Sequence, residues 1–358
     1  MTSSQTGADV RAGTELAGYT TLRLGGPAAR FVTAERSADV VTAVRAADAD
    51  GEPLLVLGGG SNLVIADEGF DGTVVKIATT GVGYDRLGDG SVQLTVEAGM
   101  GWDATVARTV AEDLGGLECL SGIPGLVGAT PVQNVGAYGV EVAELLVSVD
   151  LLDRRSGQVR TVAADALGLG YRTSVLKGAD SAVVLRVRFV LADGGRSAPI
   201  RFGELANMLG VAGGTRVPVA DARAAVLELR RGKGMLLDPA DRDTWSAGSF
   251  FTNPVLPDDE LPAVLARLGA DERMPTYPAG PGTTKLSAAW LIERAGFHKG
   301  HQGPGGRVAL SGKHVLALTN RGGNTADLLA LARDVADGVW AAFGVRLRPE
   351  PVLVGCEL

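Results

Sequence analysis

Cysteines, aromatic residues and long apolar runs are all scarce in this chain, and each scarcity removes a class of function. Only two of the 358 residues are cysteines, Cys119 and Cys356. They supply neither a disulfide framework nor a metal-ligand spacing, which fits a reducing compartment. Aromatic residues make up 5% and charged residues 21%, against 46% hydrophobic, the balance of a globular enzyme rather than a disordered or fibrous chain. No stretch of about 18 apolar residues occurs, and the polar segment 1–18 has no apolar signal core. A cytoplasmic protein is expected, neither exported nor membrane-spanning. Basic residues are the minority, 34 against 41 acidic, for a formal net charge of −7. A surface of that sign does not gather nucleic acid, so an anionic small substrate would have to be held by local donors.

Glycine, by contrast, is abundant: 51 residues with no Gly-X-Y period. Backbone that must approach something closely is the reading this favours. Two stretches concentrate it. After a short apolar strand at 53–57 come Gly58, Gly59, Gly60, Ser61 and Asn62, followed by a second strand-like run at 63–66. A Rossmann loop must open into a helix, so the usual dinucleotide fingerprint fails here. The second stretch, 121–139, contains Pro124, Gly125, Gly128, Pro131, Gln133, Asn134, Gly136 and Tyr138. Consecutive small residues let several N–H groups converge on one anion. The first loop alone reads equally well as a tight turn, but two such loops in one β-rich region suit a long ligand with a pyrophosphate, a dinucleotide of undetermined kind.

Periodicity supplies the frame. A helix is expected from Ser37, as its cap, to Gly51, with Val40, Val41, Val44 and Ala47 on one face. A strand around Val92, Leu94 and Val96 precedes a helix carrying Trp102, Val106, Val110 and Leu114. Strands at 145–152, 158–162 and 183–191 complete what reads as a mixed sheet. After about Gly195 helices alternate with single strands, with Asp221, Ser287 and Thr325 as candidate caps. The expected organisation is a flexible 1–16, a β-rich domain over 17–196 and a C-terminal α/β domain over 215–358.

Candidate chemistry is scattered. Ser249 stands between small residues and two phenylalanines, an arrangement that can expose one hydroxyl in a water-poor pocket. No nucleophile elbow accompanies it, and none of His298, His301 and His314 stands in a pattern that marks a base for it, so a hydrolase triad is unsupported. Glu350 is a charge in an apolar C-terminal run and needs a partner or a task, although an edge strand is an equal reading. Arg172 has the donor fork that grips carboxylates, or makes a surface ion pair. Arg230, Arg231 and Lys233 could bind phosphate or simply complement a helix C-terminus. Asn253, Tyr277, Lys285 and His314 pass individually as surface residues.

Taken in order, several motifs are similar to the UDP-N-acetylenolpyruvoylglucosamine reductase family over 19–355: Thr21-Leu22-Arg23-Leu24-Gly25-Gly26; Leu57 through Asn62; Ile123-Pro124-Gly125 through Gln133-Asn134-Val135-Gly136-Ala137-Tyr138-Gly139; Gly170-Tyr171-Arg172; Ala247-Gly248-Ser249-Phe250-Phe251; and Pro349-Glu350. The resemblance, closer to the larger type of the family, implies an α+β fold: an FAD-binding domain of the vanillyl-alcohol-oxidase (PCMH) type in two subdomains, plus a C-terminal α/β substrate-binding domain. It implies non-covalent FAD, held by Leu57, Gly58, Gly59, Gly60, Ser61, Asn62, Ser121, Gly122, Ile123, Pro124, Gly125, Gly128, Ala129, Thr130, Gln133, Asn134, Gly136, Ala137 and Tyr138. NADPH is the implied hydride donor. Ser249 matches the proton donor, and Arg172 and Glu350 the groups around the substrate carboxylate. Tyr138, Lys233, Gly248, Asn253, Tyr277, Lys285 and His314 match positions on the UDP-sugar substrate.

One departure stands out: Phe202 replaces a tyrosine whose hydroxyl reaches the diphosphate, with Arg201 as a candidate substitute. The implied enzyme is a monomer of peptidoglycan precursor synthesis that binds neither nucleic acid nor membrane. Other readings are a different FAD-dependent oxidase of the same fold and a flavin-binding module without catalysis.

Overall fold

A computed structural model describes residues 9–269 and 272–358. The described residues divide into two compact units: one of residues 9–14, 28–59 and 70–232, the other of residues 15–27, 60–69, 233–269 and 272–358. The units are therefore interleaved rather than consecutive. This corrects the expected boundaries in two places. Helices Gly203–Leu209 and Val219–Gly232 belong to the first unit, because Leu205, Ala222, Val226 and Leu229 are buried in its core. Segments 15–27 and 60–69 go with the C-terminal residues instead, with Leu22, Leu24 and Val64 in the second core. Within the segment 1–16, expected to be flexible, Asp9–Arg11 pairs antiparallel with Pro27–Ala34. Residues before Asp9 lie outside the described ones.

The first unit contains two main sheets, besides a two-stranded ladder of Gly136–Ala137 with Val140–Glu141, where one mixed sheet was expected. In one, Pro27–Ala34, Phe70–Ile77 and Leu54–Leu57 run parallel, with Asp9–Arg11 antiparallel at the edge. Its connection is helix Ser37–Asp50, which turns its buried Val40, Val44 and Ala47 inward and stops at Gly51 in the left-handed conformation, φ 68°. Ser37 is not the cap: its hydroxyl donates to Glu97 at 2.8 Å, and Arg36 takes the cap position. The other sheet is wholly antiparallel, in the order Val159–Ala163, Leu146–Asp153, Ala182–Ala192, Ser91–Glu97, Val82–Arg86. Along Ser91–Glu97, Val92, Leu94 and Val96 are buried and their neighbours half-buried, the period-2 pattern of a strand with one face in a core.

In the second unit the strands form small ladders around the 19-residue helix Thr325–Phe343. Its cap is Asn324, one residue before the expected Thr325, which is the first helical residue. Asn324 accepts from the Asp327 N–H at 2.9 Å, and Asp327 returns the bond to the Asn324 N–H at 3.3 Å, the reciprocal pairing of a capping box. Asp67 adds its carboxylate to the Thr325 and Ala326 N–H groups at 2.8 and 3.0 Å, favoured there by the helix dipole. Leu63–Ile65 pairs in parallel with Val352–Val354. Ser287 caps Ala288–Arg294 as expected, whereas Asp221 lies inside its helix. Among the described residues no helix is long and apolar enough to cross a membrane.

Ion pairs cross the antiparallel sheet, and one of them is centred on Asp150. Asp150 takes two bonds from Arg188, at 2.8 and 2.9 Å, and one from Thr161 at 2.7 Å. The Arg188 bonds hold its carboxyl below the ordinary value of 3.8 despite partial burial. A depressed carboxylate stabilises the fold above the unfolded-state pKa, and that stability is lost as pH falls through the folded-state value. Asp150→Asn is expected to cost about 1–3 kcal/mol at neutral pH. In urea titrations the gap from the parent protein should narrow as pH falls below 3.8; a gap independent of pH would remove the ion pair as its cause.

Candidate functional site

The two glycine-rich stretches meet in the first unit. A Cβ on Gly59 would lie 2.6 Å from the Gly125 Cα and 3.2 Å from its carbonyl carbon, so the two backbones approach with no room for a side chain. Gly122 and Gly125 take φ of 71° and 119°, values that L side chains rarely adopt. Among the described residues, the N–H groups of Gly59, Ile123 and Gly125 donate to no acceptor. A strip of bare backbone bearing uncommitted donors fits the diphosphate of a dinucleotide, and FAD passes this test of fit.

Other expected donors are already engaged. The Gly122 N–H donates to Asp103 at 2.6 Å, and Asp103 is also gripped by Arg223 at 2.6 and 3.0 Å. Gly128 bonds the Ala98 carbonyl, Ala129 that of Leu126, and Thr130 that of Val127 through both its N–H and its hydroxyl. The Ser121 hydroxyl donates to Glu118 at 2.6 Å. These positions shape the cradle by fixing its backbone, and Gly128 is tied to its place because a Cβ would fall 2.5 Å from that of Ala98.

Asn134 is buried at φ 46°, its amide spanning Glu141 at 2.8 Å, the Gly170 carbonyl at 3.0 Å and the Ala143 N–H at 2.9 Å. It thereby anchors the loop that carries Arg172. Gly170 and Thr173 close a tight turn with bonds of 3.0 and 3.3 Å, which holds Arg172 at φ 53°. The half-buried guanidinium donates to the Gly136 carbonyl at 2.6 Å, and a Cβ on Gly136 would crowd it at 3.0 Å. Gln133 and Ala137 flank the segment 134–136 in sequence.

Tyr138 sits at φ 51° with its ring edge-on to Phe202 at 5.4 Å. Burial raises its pKa, countered by the charge of Arg230. Burial likewise lowers the pKa of Arg230, against the attraction of Tyr138 and Asp103. Phe202 thus packs on Tyr138. Arg201, the candidate substitute for the missing hydroxyl, is committed to Glu144 at 2.7 Å.

In the second unit Ser249 follows Gly248, at φ 76°, and precedes the buried Phe250 and Phe251. The Phe250 N–H bonds the Leu316 carbonyl at 2.7 Å, and its carbonyl accepts from the Glu350 N–H at 2.8 Å. Phe251 and Pro349 form an antiparallel bridge. Two residues a hundred positions apart are thereby held in adjoining rungs. Glu350 is pinned from its other side as well: the Asn62 side chain donates to its carbonyl at 3.3 Å, and the Val352 N–H bonds the Asn62 carbonyl at 2.9 Å. Asn62 therefore serves Glu350. Gly60 must remain bare, since a Cβ would fall 2.0 Å from the Tyr19 carbonyl oxygen; Ser61 lies between them.

The remaining substrate candidates are spread over the same unit. Tyr277 and Lys285 are cross-strand partners, the ammonium 5.9 Å from the ring centre. The Asn253 side-chain oxygen accepts from the Ala288 N–H at 3.0 Å. His314 and Lys233 are half-buried in loops.

One residue escaped motif reading. Lys76 places its ammonium 2.7 Å from the Gly58 carbonyl and 3.1 Å from that of Ile77. The signal available was a lysine in the otherwise apolar run Val74-Val75-Lys76-Ile77.

Cradle, fold and side chains define a flavoprotein oxidoreductase of α+β fold, with an FAD-binding domain followed by a distinct C-terminal domain. Known proteins agree. A family model for an FAD-binding domain matches residues 28–163, and one for the C-terminal domain of UDP-N-acetylenolpyruvoylglucosamine reductase matches 238–354. The reductase of Saccharopolyspora erythraea is 70% identical over 357 residues, covering 98% of each chain. That of Nocardia farcinica is 59% identical, covering 99% of this chain and 92% of the relative. A solved reductase from Thermus caldophilus superposes with TM-score 0.64 at 26% identity, covering 97% of this chain and 98% of that one. The chain belongs to the UDP-N-acetylenolpyruvoylglucosamine reductase family.

Cys119 is wholly buried, and burial with the neighbouring Glu118 pushes its thiol up to about 12, which leaves no thiolate for a covalent flavin link. Native protein is expected to leave Cys119 unreacted with a thiol reagent until unfolded, and denaturation to release free FAD; flavin retained on the denatured chain would contradict this. Gly59→Ala should yield protein with little or no flavin, read as visible against protein absorbance, and full occupancy would make the Gly59–Gly125 contact dispensable.

Proposed function

We propose that this enzyme reduces UDP-N-acetylenolpyruvoylglucosamine to UDP-N-acetylmuramate with NADPH, as a cytoplasmic monomer, the first unit holding FAD and the second the UDP-sugar. FAD, when bound and reduced by NADPH, supplies hydride from N5 to the methylene carbon of the enolpyruvyl ether. The chain's own residues do the rest. As that carbon becomes a methyl group, charge moves onto the substrate carboxylate as an enolate. Arg172 stabilises it with paired charge-assisted hydrogen bonds. The turn that fixes its backbone at φ 53° means its orientation is set before substrate arrives. Ser249 donates its hydroxyl proton to the carbon that bears the ether oxygen, completing the lactyl group. Glu350 acts beside the same carboxylate.

The observation that carries this reading is the Phe250–Glu350 backbone bond of 2.8 Å. It joins the backbone next to Ser249 to that of Glu350, which supports a hydroxyl and a carboxylate acting on one substrate. The buried phenylalanines that follow Ser249 support a site with little water on one side. Gly248, Lys233, Asn253, Tyr277, Lys285 and His314 are assigned to the nucleotide-sugar. With Phe202 in place of a hydroxyl and Arg201 paired to Glu144, diphosphate recognition falls to these groups and Tyr138.

Ser249→Ala is expected to bind FAD and be bleached by NADPH at the parent rate, while reoxidation by the enolpyruvyl nucleotide slows by about 10²- to 10⁴-fold. Stopped-flow absorbance separates the two half-reactions. Equal reoxidation rates would remove the proton-donor role, and reoxidation by oxygen alone at the full rate would make the protein an oxidase instead.

A further inference from the structure

Lys76 has no part in the chemistry above, yet its position is costly. A lysine ammonium half-buried in a parallel sheet loses hydration that two carbonyl contacts only partly return, and burial lowers its pKa accordingly. A methionine of the same reach would avoid that loss. Its setting indicates what is gained. Lys76 is the register partner of Leu57, the last residue of its strand, and its shorter contact, 2.7 Å, goes to the first carbonyl of the glycine loop.

The consequence is geometric. In a trans peptide the C=O of one residue and the N–H of the next point in opposite directions, and the described residues contain no cis bond. An ammonium that draws the Gly58 carbonyl toward the sheet therefore turns the Gly59 N–H away from it. Among the described residues that N–H has no acceptor. Position and tilt of this peptide are fixed separately: the Gly125 backbone, 2.6 Å from where a Gly59 Cβ would stand, sets where it lies, and Lys76 sets which way it faces. The cation behind the plane also adds its field to the N–H dipole, favouring an anion in front.

We infer that Lys76 is a positioning residue for FAD: by holding the Gly58 carbonyl it aims the Gly59 N–H at the cofactor's diphosphate. This rests on the FAD assignment of the first unit. The test is titration of apoprotein with FAD, read by quenching of flavin fluorescence, for the parent protein and Lys76→Met, with circular-dichroism melts of both apoproteins. The variant should bind FAD about ten-fold or more weaker, the scale of one charge-assisted hydrogen bond, while its apoprotein melts no lower than the parent. FAD affinity within about three-fold of the parent in a folded variant overturns the inference, as does a lower melt with unchanged affinity, which is what a purely structural lysine would give. If the methionine variant does not fold, Lys76→Leu, which likewise removes every donor to the Gly58 carbonyl, replaces it under the same criterion. Failure of the parent protein itself to bind FAD would instead sink the cofactor assignment.

Discussion

The contact between Gly59 and Gly125 is the constraint on which the cofactor cradle depends. Backbone meets backbone there at a separation that admits no Cβ on Gly59, so two loops more than sixty residues apart in sequence form one surface of peptide groups. Much of what surrounds it secures that approach. Asp103 fastens Gly122 on one side, and the Ala98 carbonyl fastens Gly128 on the other. The abundance of glycine is thus explained at this place by close packing of main chain rather than by flexibility.

The second unit uses the opposite strategy. The proposed catalytic positions are placed by strand-like pairing of backbone. The Glu350 N–H bonds the Phe250 carbonyl, and Phe250 and Phe251, which follow Ser249, are buried. The Asn62 side chain donates to the Glu350 main-chain carbonyl, and its own carbonyl accepts from the Val352 N–H. A residue at the end of the glycine loop in this way fixes the backbone on both sides of Pro351.

How much of this could be read from the sequence depended on whether the cause was local. Helix Ser37–Asp50 with its Gly51 stop, the alternating strand at Val92–Val96 and the Ser287 cap follow from neighbours within a few residues, and all three were legible. So were the two glycine stretches and Ser249, Arg172 and Glu350 as candidates. What failed depended on distant partners. Ser37 gave up its capping role because Glu97, from another strand, took its hydroxyl. Helix Val219–Gly232 was assigned to the wrong unit since its amphipathic pattern does not say which core it covers. Lys76 belongs to no motif, and only the position of the Gly58 carbonyl makes sense of it.

The interleaving of the chain has a consequence for its fragments. The parallel partner of Val352–Val354 and the carboxylate at the start of the long helix both come from residues 60–69, far upstream of the remainder of their unit. A gene fragment beginning at residue 233 would encode a unit missing one of its strands. Such a fragment would lack the strand that pairs with Val352–Val354 and the carboxylate that caps the long helix, so the second unit depends on both stretches of the chain being present.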